Sequence, residues 1–375
     1  MGSYNDDLTV FTKEDPLRTT YAFEPGAECV HTASSKGDEI ATGAVVSGNL
    51  QAEYVQKADG AGFLCHGKAY AMAAMLVREN ATKTYHHIDT LSGWNKVSIA
   101  GGEFLFTDHK DIPYIGMRLT AESDGKGRIS WTVEAINENT EYSVIWCSYV
   151  RACRETEGLQ DLFIPFSGGC VEEAFNVGDF ARGGMYPSGL SFAMPYYAAY
   201  ENGGGKGFYY GIHDGDGSLK EMHMLSAPGS DRMHFSCIYC APNLGAPANG
   251  FVVAGKTVWQ DFDGDWFDAT EIYREFIESK CDWLPASSEN GRENIPEWFK
   301  DIPFWVMDWM PNETEYEEPI PVSLRPNSGN YGEDYWYDTP IRLKEALGTP
   351  IGYHLYNWHG NPFNNDFPHY FPVKK

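Results

Sequence analysis

The sequence predicts a mainly β protein: a large antiparallel β-sandwich followed by the first strand, helix and strand of a TIM-type (β/α) barrel. Three observations predict it. Up to about Val258, short runs of Val, Ile, Tyr, Phe and Trp alternate with polar residues, punctuated by Gly, Asn and Asp. After that point the apolar spacing turns helical, at Ile272, Tyr273, Phe276 and Ile277. Beyond a stretch rich in Pro, Ser, Asn and Gly, the order becomes strand, helix, strand, which implies a right-handed crossover and a parallel pair.

Residues 129–136 (ISWTVEAI) and 142–149 (YSVIWCSY) read as two strands, with Asn137 to Glu141 as a hairpin connection. Residues 207–213 (GFYYGIH) and 250–258 read as strands, and 214–217 (DGDG) as a turn leading into a strand over 219–225. Some 250 residues of this pattern describe a large sandwich rather than an immunoglobulin-sized one. Asp268-Ala-Thr-Glu271 reads as a capping box for a helix that runs to Lys280. Residues 281–297 read as a linker, and 304–307 (FWVM) as a short buried strand. Thr339 and Pro340 are placed as N-cap and first residue of a second helix, ended by Gly348. Residues 351–356 (IGYHLY) form the second barrel strand.

The expected domains are 1–267 for the sandwich, 268–297 for the connecting helix and linker, and 298–375 for the N-terminal piece of a barrel. A full barrel needs eight strand–helix units and roughly 200 residues or more, so one begun at Trp298 is expected to be incomplete at Lys375. Two strands and one helix do not bury both faces of their sheet. This piece is therefore expected to lean on the sandwich or to be poorly ordered, with proteolysis trimming it towards 281–297.

The net charge is −25, from 53 acidic and 28 basic residues. So negative a surface repels phosphate backbones and anionic lipid, which excludes nucleic acid and membrane as partners and leaves neutral polymers such as glycans. No run approaches the ~18–20 apolar residues of a membrane helix. Aromatics reach 15%, which suits strands and the flat C–H face of a pyranose alike. The opening MGSYNDDLTV has no basic-then-apolar pattern of a signal peptide. The eight cysteines are irregularly spaced, against a disulfide framework, and Cys237-x-x-Cys240 has no second ligand pair. A reducing, cytoplasmic location is expected, with no metal and no cofactor.

In barrels, the loops after the strands build the active-site face. Asp308 and Trp309 follow the first barrel strand, and Asn357, Trp358 and His359 follow the second, so both groups belong to one barrel mouth. There an Asp accepts bonds from sugar hydroxyls, a Trp stacks, and an Asn or His orients either. Asp366 and His369 come later in the same loop. The connection from 309 to 338 adds Glu313, Glu315, Glu317, Glu318, Glu333 and Asp334 among Tyr and Trp residues; a solvated acidic loop is the alternative reading of it. Glycoside hydrolysis needs two carboxylates ~5–5.5 Å or ~6.5–9.5 Å apart. Asp308 is one candidate, but no partner is nominated, and the catalytic residues stay unassigned. Asp261-Phe-Asp-Gly-Asp265 and Asp214-Gly-Asp-Gly217 lack the later residues of a calcium loop and read as turns.

Several phrases carry a family likeness. Residues 158–169 (GLQDLFIPFSGG), 186–200 (YPSGLSFAMPYYAAY) and 207–224 (GFYYGIHDGDGSLKEMHM) resemble the late sandwich of bacterial glycosidase relatives. Residues 264–277 (GDWFDATEIYREFI) are similar to the helix leading from sandwich to barrel, and 351–372 to the second barrel strand and its loop. The family resembled is domain of unknown function 6259, grouped with the barrel glycoside hydrolases. The resemblance implies a galactose-mutarotase-like supersandwich, a catalytic (β/α)₈ barrel and glycan substrates. It also implies a nucleophile and acid/base on middle barrel strands, positions that do not exist in this chain. The expected function is thus the N-terminal portion of a glycoside hydrolase, catalytically incomplete alone, with the missing remainder of the barrel as a partner. The alternatives are a non-catalytic carbohydrate-binding sandwich and a structural interaction protein.

Overall fold

The strand Arg128–Asn137 shows how the sequence makes the sandwich: Ile129, Trp131, Val133 and Ala135 are buried, and the residues between them are half-buried. Such alternation puts one face of a pleated strand on a core. The computed structural model describes residues 39–57, 60–65, 68–91, 93–155, 157–166, 168–172, 180–188, 191–226, 232–243, 245–282, 284, 287–288, 291–309 and 335–356. The chain forms two compact units, Met1–Asp282 and Trp283–Lys375.

Among the described residues, the first unit is built on two large antiparallel sheets. One runs Cys170–Glu172, Asp161–Ile164, Tyr196–Tyr200, Gly205–His213, Lys256–Gly264, Arg128–Asn137, Ile115–Ser123, Glu103–His109 and Trp94–Ala100, with Phe251–Val252 also on Arg128–Asn137. The other runs Phe180–Tyr186, Lys220–Ser226, Arg232–Cys240, Tyr142–Ser148, Ala74–Glu79 and Tyr85–Asp89, with Ala152–Glu155 also on Arg232–Cys240. Their facing side chains form one core that includes Phe106, Leu119, Trp131, Val144, Met224 and Phe235. A smaller four-stranded sheet, Glu39–Ser47 to Lys68–Tyr70, adds Tyr54 and Phe63 to that core against Phe104.

The first sheet is covered on its other face as well. Tyr196, Ala198, Tyr200, Tyr209 and Val258 pack under Ala269, Ile272 and Tyr273 of the helix Trp266–Lys280. Burial on both faces explains why 196–200 (YYAAY) reads as a continuous apolar run rather than an alternation.

That helix begins earlier than its sequence suggests. Asp265, extended at φ −124°, is the N-cap; it accepts from the Phe267 N–H at 2.8 Å, and Asp268 accepts from the Asp265 N–H at 2.9 Å. The box is therefore Asp265/Asp268 and not Asp268/Glu271, because a carboxylate at the fourth position returns the bond as well as Glu does. Asp265→Ala is expected to lower stability by about 1 kcal/mol, read as a shift in the urea midpoint.

Other expectations change for physical reasons. Asn137 to Glu141 is no hairpin: Arg128–Asn137 and Tyr142–Ser148 belong to different sheets, and the connection passes from one to the other. Asn137 Oδ1 accepts the Asn139 N–H at 3.0 Å and Asn139 Oδ1 accepts the Glu141 N–H at 2.9 Å, so the corner is made of Asx turns. The strand expected over 250–258 is broken between Phe251–Val252 and Lys256–Gly264 by Gly255 at φ +77°. A Cβ at Gly255 would sit 2.5 Å from the His213 carbonyl, so only glycine fits. Asp261 and Asp263 lie in the strand Lys256–Gly264 rather than in a turn, and Asp265 is the helix cap. Asp214 does make a turn, accepting the Asp216 and Ser218 N–H groups at 3.1 and 2.9 Å.

In the second unit, Phe304–Trp309 and Ile351–Tyr356 pair in parallel, joined through the helix Tyr335–Leu347. The helix starts a turn before Pro340, so Thr339 is not its cap, and the proline ring omits one interior bond. Gly348, at φ +63°, ends it, with its N–H on the Lys344 carbonyl. Within the expected linker, Ser287–Ser288 pairs with Gly291–Arg292. The fold class read from the sequence is the one observed: among the described residues, large antiparallel β-sheets packed as a sandwich are followed in the chain by a parallel β-α-β unit.

Candidate functional site

The parallel pair aligns Asp308 with Leu355 and Trp309 with Tyr356. Both strands therefore end at the same edge of their sheet, the C-terminal edge where barrel proteins carry their chemistry. Asp308 and Trp309 are the last two residues of the first strand. Asn357 is bonded to Tyr356, the last residue of the second. Asn357, Trp358, His359, Asp366 and His369 lie outside the described residues, as does the acidic connection from 310 to 334.

A second place is a cleft of about 820 Å³ in the first unit, within the size range of small-molecule sites. One wall is the four-stranded sheet, through Gln51, Glu53, Leu64 and Cys65. Cys153, Arg154, Glu155 and Glu157 line it as well, with Lys206 and Asp261 to Asp263 from two neighbouring strands of the long sheet. Six carboxylates (Glu53, Glu155, Glu157, Glu201, Asp261, Asp263) face three cations (Lys126, Arg154, Lys206). That balance favours hydroxyl donors over anionic ligands.

Arg154 is held from two sides, with Nη2 3.7 Å from Asp261 Oδ1 and its guanidinium 4.8 Å from the Phe208 ring centre. Lys206 pairs with Asp263, and the Lys206 N–H donates to Glu201 Oε2 at 3.0 Å. Burial pushes the Asp261 carboxyl above its ordinary pKa, against the pull of Arg154. The cleft can thus offer a guanidinium and several carboxylate acceptors.

The cleft was not foreseen from sequence. Its residues come from segments between Gly48 and Asp263, and no spacing rule links positions that only strand pairing brings together. The one trace in the sequence is Asp261-Phe-Asp263-Gly-Asp265, which begins like a calcium loop and reads as a turn. Among the described residues, no group of three or more His, Cys, Asp or Glu is arranged to hold a metal ion.

Residues 251–375 match the family described as Domain of unknown function (DUF6259). The chain is 26% identical over 218 residues to the Monosiga brevicollis protein named "Putative glycoside hydrolase 22789", a match over 52% of this chain and 17% of that protein. Among solved structures, alpha-N-acetylgalactosaminidase NagBb from Bifidobacterium bifidum, in complex with GalNAc, aligns with a TM-score of 0.56 at 13% identity. That alignment covers 89% of this chain and 54% of the enzyme. The same enzyme bound to Gal-NHAc-DNJ gives 0.54 at 14% identity, over 90% and 54%. At such identity the likeness is one of fold. The chain thus spans about half the length of these solved relatives, and the family resembled is the one matched over residues 251–375, which hold the phrases at 264–277 and 351–372.

Proposed function

We propose that this chain supplies the sandwich and the opening barrel unit of a glycoside-hydrolase-like protein that acts on glycans, and that it positions sugar without itself holding the full catalytic pair. The observation that carries this reading is the exposed apolar surface of the two-stranded parallel sheet. Phe304 is 46% exposed, Trp305 45% and Met307 61%, on neighbouring positions that point to opposite faces of a strand. Parallel sheets are covered on both faces in stable proteins, so these residues call for further strands and helices, the remainder of a barrel. In that setting Asp308, Trp309, Asn357, Trp358 and His359 contact substrate, with Asp366 further along the loop. The GalNAc complex of NagBb makes N-acetylgalactosamine the first sugar to try.

The cleft supports a second reading, a sandwich that binds carbohydrate without cleaving it. Calorimetric titration of N-acetylgalactosamine and oligosaccharides that carry it separates the two, using this chain and the full-length product of its gene. On the first reading, Trp309→Ala and Trp358→Ala each weaken binding by the full-length protein about tenfold, the worth of one lost ring contact. On the second, they leave affinity unchanged and Arg154→Met removes it. Unchanged affinity in all three variants would sink both.

A further inference from the structure

Cys65 and Cys153 lie 88 residues apart in sequence, yet both line the cleft. Cys65 ends the strand Gly60–Cys65 of the small sheet, and Cys153 is the second residue of the strand Ala152–Glu155 of the main sandwich. The two strands touch, and the Cys65 and Cys153 thiols are close enough to influence each other. On its other side the Cys153 Sγ is 3.8 Å from His234 Nε2, the residue paired with Cys153 across its ladder. Each cysteine keeps a small exposure, 9% and 8%. Among the other described thiols, Cys147 and Cys237 are sealed in the core, Cys170 and Cys240 are exposed, and Cys281, as little exposed as Cys153, lies at the end of the helix Trp266–Lys280 and does not line the cleft.

We propose that Cys65 and Cys153 form a dithiol that low-molecular-weight disulfides oxidise to a bridge, a covalent modification site in the cleft wall that ties the small sheet to the sandwich. Cys65 is the attacking sulfur. Hydrogen bonding with Cys153 holds its thiol below the ordinary pKa, helped by Arg232 and Arg154 and opposed by burial. Burial pushes the Cys153 thiol up, as suits a resolving partner that stays protonated until a mixed disulfide forms.

The chemistry balances. Cys65 thiolate attacks one sulfur of R–S–S–R, the S–S bond breaks, and RS⁻ leaves to take a proton from water. Cys153 then loses its proton to water and attacks the Cys65 sulfur, expelling the second RS⁻, which is protonated in turn. Two thiols are oxidised and one external disulfide is reduced to two thiols.

The test is to incubate the reduced, folded protein with glutathione disulfide and to map its peptides without reduction by mass spectrometry. The expected product is a Cys65–Cys153 cross-linked peptide with no glutathione retained on either residue. Cys153→Ser should stop at a glutathione adduct on Cys65, and Cys65→Ser should give neither adduct nor bridge at this site. Closing so long a loop should raise Tm by about 5–10 °C relative to the reduced protein. Glutathione on Cys170 and Cys240 but no bridge in the wild-type protein would overturn the proposal, as would an adduct that persists on Cys65 while Cys153 is intact. The wild-type map decides the matter even where a serine variant fails to fold.

Discussion

Lys220→Ala is expected to destabilise the first unit by about 3–5 kcal/mol, because it strands a buried carboxylate. The Lys220 and Asp214 side chains are 0% and 2% exposed, with Nζ 2.8 Å from Oδ2. Nζ also lies 4.8 Å from the Tyr186 ring centre. Asp214 in turn accepts the two N–H groups of its own turn, so the pair fixes where the chain leaves the strand Gly205–His213 and enters Lys220–Ser226. Burial opposes the charge on Asp214, but Lys220 and those N–H groups outweigh it and hold its pKa below the usual carboxylate value. Urea unfolding followed by circular dichroism measures the loss. Asp214→Asn combined with Lys220→Met should recover most of it, since Asn keeps one turn acceptor and Met fills the apolar path of the lysine stem. A Lys220→Ala variant within 1 kcal/mol of wild type would show that water reaches the carboxylate after all.

Stability should also fall steeply as pH drops below 6.5. The His213 ring stacks on Phe276 at 4.3 Å and bonds the Tyr209 hydroxyl at 3.0 Å, and burial, with Arg128 nearby, lowers its pKa to about 3. His234 is lowered to about 3 by burial and by Arg232 and Arg151. Both are neutral in the folded state. Between pH 6.5 and about 3 the unfolded chain therefore binds protons that the folded one does not, and stability rises with pH across that window. Well below pH 6.5 each histidine contributes up to about 1.4 kcal/mol per pH unit. Asp214 works in the same direction lower down: its contribution is present above the unfolded carboxylate pKa and is lost as pH falls through its depressed folded value. Urea midpoints at pH 7.5, 6.0, 5.0 and 4.5 test this, and His213→Gln should remove about one proton's worth of slope. An unchanged slope in that variant would mean that His213 titrates freely.

The redox bridge and the barrel-mouth substitutions probe function, whereas these two variants probe the scaffold that holds the cleft. The two regions share one strand: His213 ends the strand Gly205–His213, and Lys206 and Gly207, near its start, line the cleft.

Much of the scaffold was legible in the amino-acid order, because strand and helix periods are local. Residues 129–136, 142–148, 207–213 and 351–356 fall inside observed strands, since alternation or an apolar run needs only near neighbours to be read. The helix from 266 to 280 is visible through Ile272, Tyr273, Phe276 and Ile277, although its cap is not, because two acidic pairs, Asp265/Asp268 and Asp268/Glu271, compete for the same role. Family phrases added the likeness now matched over residues 251–375. What neighbours cannot encode is which strand pairs with which. Arg128–Asn137 and Tyr142–Ser148 look like a hairpin in sequence and belong to opposite sheets in space. Cys65 meets Cys153, and Arg154 meets Asp261, only because the sheets bring distant segments together. Periodicity determined the elements of this protein; the pairing and packing of strands distant in sequence, a property of the whole folded chain, decided where its cleft and its thiol pair would form.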